Sequence, residues 1–392
     1  MEEAGFERRD GLTQGKVRGR GAGLNPGNRF EDVRLHVLGE HLDERAMERP
    51  EGVQVGTRIL PDTTRSILNK VDSPDLSMKW TLNPYRGCEH GCIYCYARPG
   101  HEYLGLSSGL DFETVLMAKH DAPELLREEL AKPGWKGEAI SMSGVTDCYQ
   151  PAERELRITR RCLEVMVECR QAVGIVTKSR LVLRDLDLLK RLHEHRAAGV
   201  AISLTTLDGE LASKMEPRAS SPRERLRTIR ELSAAGIPVM VLTAPIVPGI
   251  NDREIPALLE AAADAGARGG GWVMLRLPYQ IKALFLEWLQ RHFPDRAAKV
   301  ESFVREMHGG SLYDSRPFVR QRGAGPLAEQ IAQTFRVFSR RFGLDKGRWA
   351  LDERAFLPPK HAGGQLNLFQ VSGETGVGDG LKAGESALEF GA

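Results

Sequence analysis

Short apolar segments alternate with amphipathic segments through the middle of this 392-residue chain. Five segments rich in β-branched and other apolar residues predict buried strands, at 138–147, 173–179, 200–208, 238–247 and 272–278. Each is followed by a segment that predicts a helix, typically with apolar residues at three- and four-residue spacing and Gly or Asp near its ends. With one more strand and helix near the cysteines, the pattern gives about six β/α units.

Strands that alternate with helices imply a parallel sheet with right-handed crossovers. An open doubly wound sheet and a full or partial barrel both satisfy this pattern, and in both the functional residues follow the carboxyl ends of the strands. Polar residues directly after the predicted strands are therefore the first candidates for chemistry.

The rest of the chain divides around this core. Residues 1–30 are polar, rich in Gly and Arg and without periodicity, so we expect a flexible basic arm. Residues 31–77 are interpreted as an N-terminal extension, 78–295 as the α/β core and 296–370 as a C-terminal helical extension. The Gly-rich segment 371–392 is expected to be a disordered tail. Neither end is expected to contribute to the core.

Charge and cysteine content narrow the class of protein. With 55 Lys plus Arg and 53 Asp plus Glu, the net charge is +2, which gives no overall attraction to nucleic acid or anionic membrane. The first residues lack the apolar run of a signal peptide, and no run of about 18 apolar residues occurs, so we expect a cytoplasmic protein. Six cysteines in so long a chain favour metal ligation over a disulfide scaffold.

Three of the six cysteines, Cys88, Cys92 and Cys95, lie within one short loop. Gly87 and Gly91 interrupt this loop and allow its backbone to wrap closely around an inorganic centre. Structural zinc sites and electron-transfer clusters usually have four protein ligands. Three thiolates therefore predict a metal centre that keeps one position open for a cofactor or substrate.

Other interpretations of the cysteines remain open. A zinc site would take His90 or His101 as its fourth ligand, because mixed Cys and His sites are common, and the chain would then be a zinc-stabilised binding protein without catalysis. The other cysteines, Cys148, Cys162 and Cys169, are consistent with free thiols. Cys162 and Cys169 are spaced as two residues on the buried face of one helix.

The run Cys88-x3-Cys92-x-Tyr94-Cys95 resembles the signature of the radical S-adenosylmethionine (SAM) superfamily. The resemblance implies an α/β fold, a partial (β/α)6 TIM-like barrel of the radical SAM type. It also implies a 4Fe-4S cluster on the three cysteines, with SAM bound at the open iron. A reductant such as flavodoxin or ferredoxin would supply the electron that cleaves SAM to a 5'-deoxyadenosyl radical, which abstracts a substrate hydrogen.

Further segments from about Trp80 to Pro278 resemble the spore photoproduct lyase-like branch of that superfamily. In this branch SAM is contacted by a hydroxyl after the second strand, a lysine after the third and a serine on the fourth. The residues that match these positions are Thr146, Lys178 and Ser203. Thr205 lies on the same face of its strand as Ser203 and is a further candidate. Arg218, in a loop after that strand, is a candidate partner for the SAM carboxylate.

The resemblance also bears on the catalytic hydrogen donor. The lyase has a cysteine near the end of its second strand, and the matching position of this chain is about Gly144. Cys148 follows directly after Asp147 and is predicted to be the hydrogen donor in its place. The implied activity is that of a lyase-like radical SAM enzyme. Damaged DNA is one implied substrate, and RNA, protein or a metabolite are the alternatives.

Local charge adds one argument for a nucleic-acid substrate. Residues 311–350 contain eight Lys or Arg and three acidic residues, although the charge of the whole chain is nearly balanced. Phe335, Phe338 and Phe342 in the same segment recur at helical spacing, which favours packing of a helix against the barrel over stacking on bases. The segment is thus predicted to carry both a packing face and a basic face.

Overall fold

The computed structural model describes residues 17–30, 54–76, 78–345 and 349–359, with short strand segments at 8–10, 12–13, 36–38 and 387–388. The main sheet of this part has seven strands. They are β1 (Leu68–Lys70), β2 (Trp80–Leu82), β3 (Ile140–Met142), β4 (Val173–Thr177), β5 (Ala198–Ser203), β6 (Val239–Ile246) and β7 (Gly269–Met274). Their order in the sheet follows their order in the chain.

Strands β2 to β7 are parallel, and β1 runs antiparallel to β2. Ile140 of β3 lies opposite Val173 of β4, and Val200 of β5 lies opposite Val239 of β6. A helix follows each of the parallel strands, so the predicted β/α alternation is confirmed. The architecture is α/β with a parallel sheet, and it is consistent with a partial TIM-like barrel.

Helices of eight or more residues cover the sheet and extend beyond it. They are α1 (Ala122–Leu130), α2 (Ile158–Cys169), α3 (Leu186–His193), α4 (Pro222–Ala234), α5 (Ile255–Asp264), α6 (Ile281–His292), α7 (Pro294–Met307) and α8 (Pro326–Arg341). Shorter α-helices span Asp111–Thr114, Glu153–Leu156, Gly209–Met215 and Val319–Arg322. Short 3-10 helices lie at Arg98–Leu104, Arg180–Asp185, Asp252–Glu254 and Glu353–Ala355.

Several strands and helices begin or end at other residues than predicted, because of the local backbone geometry. The predicted strand 138–147 is only three residues long, because Ser143 has a left-handed φ of 72° directly after β3. The predicted helix that begins at Pro151 is divided in two at Arg157, where φ is 51°. The predicted strand 272–278 ends at Met274, so Arg276 lies beyond the strand rather than within it.

The core lies between the sheet and the helices that cover it. All six residues of β5 are buried, as expected for a parallel strand covered on both faces. On α2, Cys162 and Cys169 are fully buried, so the helical face predicted from their spacing is confirmed. At the start of α4, the Ser221 hydroxyl accepts a hydrogen bond from the Glu224 amide, which caps a helix that begins with Pro222.

The part of the predicted flexible arm that the structure describes, residues 17–30, lies against the cysteine loop. Residues 20–22, which we call the N-terminal strap, are buried. The expectation of a flexible arm therefore does not describe this segment. The physical reason is Gly21: a Cβ there would lie 1.9 Å from the Gly91 carbonyl oxygen, so only glycine permits this approach.

The C-terminal extension packs back on the edge of the sheet. Phe335 of α8 contacts Trp272 of β7, with ring centroids 5.9 Å apart, as the helical spacing of the phenylalanines predicted. Of the expected disordered tail, 371–392, only Ala387–Leu388 falls in the described part, where it pairs with Trp349–Ala350. Among the described residues, no helix is both long and apolar enough to cross a membrane.

Candidate active site

The cysteine loop follows the short strand Tyr85–Arg86 and depends on two left-handed glycines. Gly87 has φ 80° and Gly91 has φ 67°, and a side chain at either position would collide with its surroundings. The Cys88 amide donates to the Phe112 carbonyl at 2.9 Å, and the Cys95 amide donates to the Cys92 carbonyl at 3.2 Å. Backbone bonds and glycine conformations thus fix the three cysteines in one compact loop.

A fully buried ion pair supports this loop from behind. Arg98 donates to the Cys92 carbonyl through Nε at 3.0 Å and Nη2 at 2.8 Å, and to Glu113 Oε1 at 2.6 Å. Glu113 also accepts from the strap amides of Gly21 and Ala22, at 2.9 and 2.8 Å. Because every one of these groups is buried, the carbonyl of Cys92 has little freedom to move.

A second buried network lies on the other side of the loop, around Glu216. The Glu216 carboxylate accepts from the Tyr94 hydroxyl and from Thr205 at 2.6 Å, and it pairs with Arg225. Burial alone would raise the pKa of Glu216, but the positive charges of Arg225 and Lys178 hold it below its usual value. Tyr94 is thereby fixed beside Cys92 and Cys95.

The cysteine loop and the carboxyl ends of the strands enclose one cavity of about 570 Å³. Its wall includes six of the residues predicted to bind cluster or cofactor: Cys88, Cys92, Cys95, Thr146, Lys178 and Ser203. Thr146 follows β3, Lys178 follows β4 and Ser203 ends β5. The structure therefore brings these side chains together at the end of the sheet where active residues are expected.

Lys178 and Asp147 are two charged residues of this wall that contact each other. The Lys178 ammonium lies 5.9 Å from the centroid of the Tyr94 ring. Burial would lower the pKa of Lys178, but the charges of Cys92 and Glu216 raise it above its usual value, so it stays cationic. Burial would likewise raise the pKa of Asp147, yet His90 and backbone donors hold it at about 2. Asp147 accepts from the Lys178 amide at 2.8 Å and so orients the lysine.

Three other predicted site residues lie outside the cavity wall. Thr205 donates to Glu216 and thus supports Tyr94. Arg218 pairs with Glu89 at 3.1 Å. Cys148 is fully buried in the main core, where its amide donates to the Ser143 hydroxyl at 2.9 Å.

The cavity contains residues that sequence reasoning missed. Arg276 was assigned to the interior of a strand, but it lies on the cavity wall with its guanidinium 4.9 Å from the Tyr96 ring centroid. Ser141 of β3 is fully buried on the same wall. The C-terminal extension adds Arg320, which pairs with Asp75 at 2.7 Å. Of these three residues, only Arg276 could have been recognised from the sequence, because it is an arginine within an otherwise apolar segment.

The two histidines considered as zinc ligands have other partners. His90 Nδ1 lies 3.3 Å from the Asp147 carboxylate, and His101 Nε2 lies 2.8 Å from the Val115 carbonyl. In the part of the chain that the structure describes, no three His, Cys, Asp or Glu side chains are grouped so that they could hold a single metal ion, the three loop cysteines included; in a 4Fe-4S cluster each thiolate binds a different iron. The histidine positions give the zinc interpretation no support.

Comparison with known proteins places the fold and the loop in a family. Residues 82–262 match the family model of the radical SAM superfamily. An uncharacterised protein of Mycobacterium tuberculosis is 34% identical over 269 residues, which cover 68% of this chain and 78% of that protein. The chain therefore belongs to the radical SAM superfamily, whose members use a 4Fe-4S cluster and SAM.

A viral relative and solved structures extend the comparison. A protein of Pseudomonas phage M6, described as a radical SAM Nalpha-GlyT isomerase, is 25% identical over 275 residues, 69% of this chain and 53% of that protein. Spore photoproduct lyase complexed with dinucleoside spore photoproduct superposes with a TM-score of 0.52 at 17% identity, over 74% of this chain and 79% of the lyase. At that identity the similarity concerns the fold alone.

Proposed function

We propose that this chain is a lyase-like radical SAM enzyme that abstracts hydrogen from a nucleic-acid substrate. Cys88, Cys92 and Cys95 would hold the 4Fe-4S cluster, and Thr146, Lys178 and Ser203 would bind SAM. The observation that carries the proposal is their placement on the wall of a single cavity at the carboxyl ends of parallel strands. When bound, the cluster and SAM supply an electron and a 5'-deoxyadenosyl radical.

The donor set fits a cluster. Burial raises the pKa of the Cys88 and Cys92 thiols, the latter to about 12, so both need a cationic partner to ionise. Iron in a cluster is such a partner, and the Lys178 ammonium adds positive charge near Cys92. The backbone of the loop is already held by Arg98, so little reorganisation would accompany cluster binding.

The residues assigned to SAM match its polar groups. Lys178 would pair with the SAM carboxylate, since it is the cation on this part of the wall. The Thr146 hydroxyl donates to the Tyr85 carbonyl at 2.9 Å, so its oxygen remains available to accept from the SAM ammonium. Ser203 is buried beside the Ala244 carbonyl and would contact the ribose. Enclosure within the cavity would protect a radical from solvent.

A nucleic acid is the substrate class that we favour. Tyr96 lies on the cavity wall with 46% of its surface exposed, which offers a flat ring for a base. The lyase that shares the fold is complexed with a dinucleoside spore photoproduct, and the phage relative carries the name of an isomerase. Damage repair and modification of a nucleic acid are both compatible with these observations.

The experiment on the cofactors uses protein purified without oxygen. We expect about four irons per chain and, with dithionite or reduced flavodoxin, conversion of SAM to 5'-deoxyadenosine. Lys178→Gln should retain the iron but bind SAM about tenfold more weakly, because a charge-assisted hydrogen bond is lost. Lys282→Gln, on α6 outside the cavity, is the matched control. Zinc in place of iron, or an unchanged SAM affinity in the Lys178 variant, would contradict the assignment.

The experiment on the substrate follows deuterium. Single-stranded and duplex DNA, each with and without ultraviolet lesions, would be prepared in deuterated form and incubated with reduced enzyme and SAM. We expect deuterium in 5'-deoxyadenosine from one of these nucleic acids. Transfer from deuterated protein or metabolites, with none from DNA or RNA, would leave the radical SAM chemistry intact but replace the proposed substrate.

A further inference from the structure

Two buried polar atoms on the cavity wall have no hydrogen-bond partner among the described residues. They are Ser141 Oγ and Arg276 Nε. Buried polar groups of a folded protein are nearly always hydrogen-bonded, and each one without a protein partner needs an explanation, such as a water, an ion or a ligand that completes the set. Neither residue belongs to the set assigned above to the cluster or to SAM. These two atoms indicate a binding site that the proposed cofactors leave unfilled.

Arg276 also lacks an acidic partner in the described part of the chain. Of the other cations on the wall, Lys178 is adjacent to Cys92 and Glu216, and Arg320 is paired with Asp75. Asp147 is saturated by Thr177 and the Lys178 amide. Arg276 is therefore a positive charge on the cavity wall that, among the described residues, forms no ion pair with either carboxylate of the wall, Asp72 or Asp147.

The Tyr96 ring determines how Arg276 can bind a ligand. The guanidinium lies over this ring, 4.9 Å from its centroid, and the Tyr96 hydroxyl donates to the Gly144 carbonyl. A guanidinium stacked on a ring keeps its N–H groups free at the edge, where they can form a pair of parallel hydrogen bonds to an oxyanion. Because 46% of Tyr96 is exposed, its ring can also contact a second flat group.

The location of Arg276 separates it from the residues assigned to SAM. Thr146 follows β3, Lys178 follows β4 and Ser203 ends β5, whereas Arg276 follows β7 at the edge of the sheet. SAM has one carboxylate, for which Lys178 is sufficient. A second oxyanion in the cavity would have to come from the substrate.

We propose that Arg276 binds an oxyanion of the substrate, a phosphate or a carboxylate that adjoins a planar ring, and that Ser141 provides a second polar contact. This inference rests on the proposed function, because it assigns the rest of the cavity to SAM. The shared chemistry is that of an oxyanion beside a ring. A nucleotide supplies it as phosphate and an aromatic amino acid supplies it as carboxylate.

The test uses two pairs of probes that differ only in charge. The first pair is thymidylyl-thymidine and its neutral methylphosphonate analogue, and the second is N-acetyltyrosine and N-acetyltyrosinamide. Binding to the iron-loaded enzyme with SAM would be measured by anaerobic calorimetry. We expect the anionic member of one pair to bind about tenfold more tightly, since a bidentate charge-assisted contact is at stake. A preference in the first pair identifies phosphate, and one in the second pair identifies carboxylate.

Variants test whether Arg276 is responsible for the preference for the anionic probe. Arg276→Gln should abolish the preference for the anion, while its affinity for SAM should stay well above that of Lys178→Gln. Arg268→Gln, an exposed change at the other end of β7, should preserve both properties. Ser141→Ala should weaken both members of the favoured pair equally.

Three results would overturn the inference. They are a wild-type enzyme that prefers neither anion, a preference that survives in Arg276→Gln, and a loss of SAM affinity in that variant as large as in Lys178→Gln, which would assign the arginine to the cofactor. A wild-type enzyme that takes up no iron or SAM would instead refute the proposed function, so the two failures can be told apart.

Discussion

The two sides of the cavity differ in how fully their polar groups are paired. Behind the cysteine loop, Arg98 and Glu113 form a closed buried network, and Glu216 does the same with Arg225. At the edge of the sheet, Arg276 keeps a buried nitrogen without a partner among the described residues. A paired network fixes geometry before any ligand arrives, whereas an unpaired group gains its partner on binding. The comparison indicates a preorganised cofactor side and a substrate side that is completed by its ligand.

The largest effect is expected at the cysteine loop itself. Cys92→Ala removes one of three thiolates that the cofactor side orients, so we expect loss of the brown colour and of nearly all iron. Cys162→Ala, a buried cysteine of α2 outside the cavity, should keep the full iron content. Iron and sulfide assays with absorption spectra measure the outcome. Equal iron content in the two variants would show that Cys92 does not bind the cluster, and the description of this side as a cofactor side would be wrong.

The next effect concerns the charge beside Tyr94. Glu216→Gln leaves Arg225 buried without its carboxylate, which should lower the free energy of unfolding by about 3–5 kcal/mol. Urea unfolding of the protein measures the change. Glu231→Gln is the control, because its partner Arg227 lies exposed on the same helix, and little change is expected. Similar losses in both variants would show that burial of the pair is not what matters.

A smaller effect is expected from the N-terminal strap. Gly21→Ala places a methyl group against the Gly91 carbonyl and should cost about 1–3 kcal/mol as the strap is displaced. The matched variant is Gly27→Ala, where an added Cβ meets nothing within 4 Å. Thermal unfolding compares the two. If both variants melt like the wild type, the strap does not support the cysteine loop.

The smallest effect concerns the contact that joins the C-terminal extension to residues 73–75, and it depends on pH. The Arg320 guanidinium holds the pKa of Asp75 well below its usual value. A lowered pKa stabilises the fold above the ordinary pKa of aspartate, about 3.9, and this stabilisation is lost as the pH falls further. Asp75→Asn should therefore cost about 1–2 kcal/mol at pH 7 and progressively less below about pH 4.

Denaturant titrations at several pH values test this prediction. Asp314→Asn is the control, because Asp314 pairs with the exposed Arg316 and its removal should change stability little. A cost for Asp75→Asn that stays constant down to pH 3 would contradict the assignment to an ionised carboxylate.

Hydrophobic periodicity was sufficient to predict the α/β class. Buried parallel strands appear in the sequence as short apolar runs, and their helices appear as apolar residues at three- and four-residue spacing. The cysteine spacing was equally local. Pairing between distant segments was not predictable. Arg218 meets Glu89 across 129 positions, and Cys148 enters the core because of the turn at Ser143. Residues 20–22 looked like a flexible arm, since nothing in their own composition reveals the carboxylate of Glu113.

The close approach of Gly21 to Gly91 restricts the substitutions that these two positions can accept during evolution. Each glycine leaves room for the backbone of the other, and a Cβ on Gly21 would overlap the Gly91 carbonyl. A mutation at Gly21 is tolerated only if the strap has already left the loop, whereas Gly91 is constrained independently by its φ of 67° and by the Glu113 carboxylate, which would lie 2.7 Å from an added Cβ. In an alignment of relatives we therefore expect Gly91 to remain glycine throughout, and Gly21 to be replaced only where the strap takes another path.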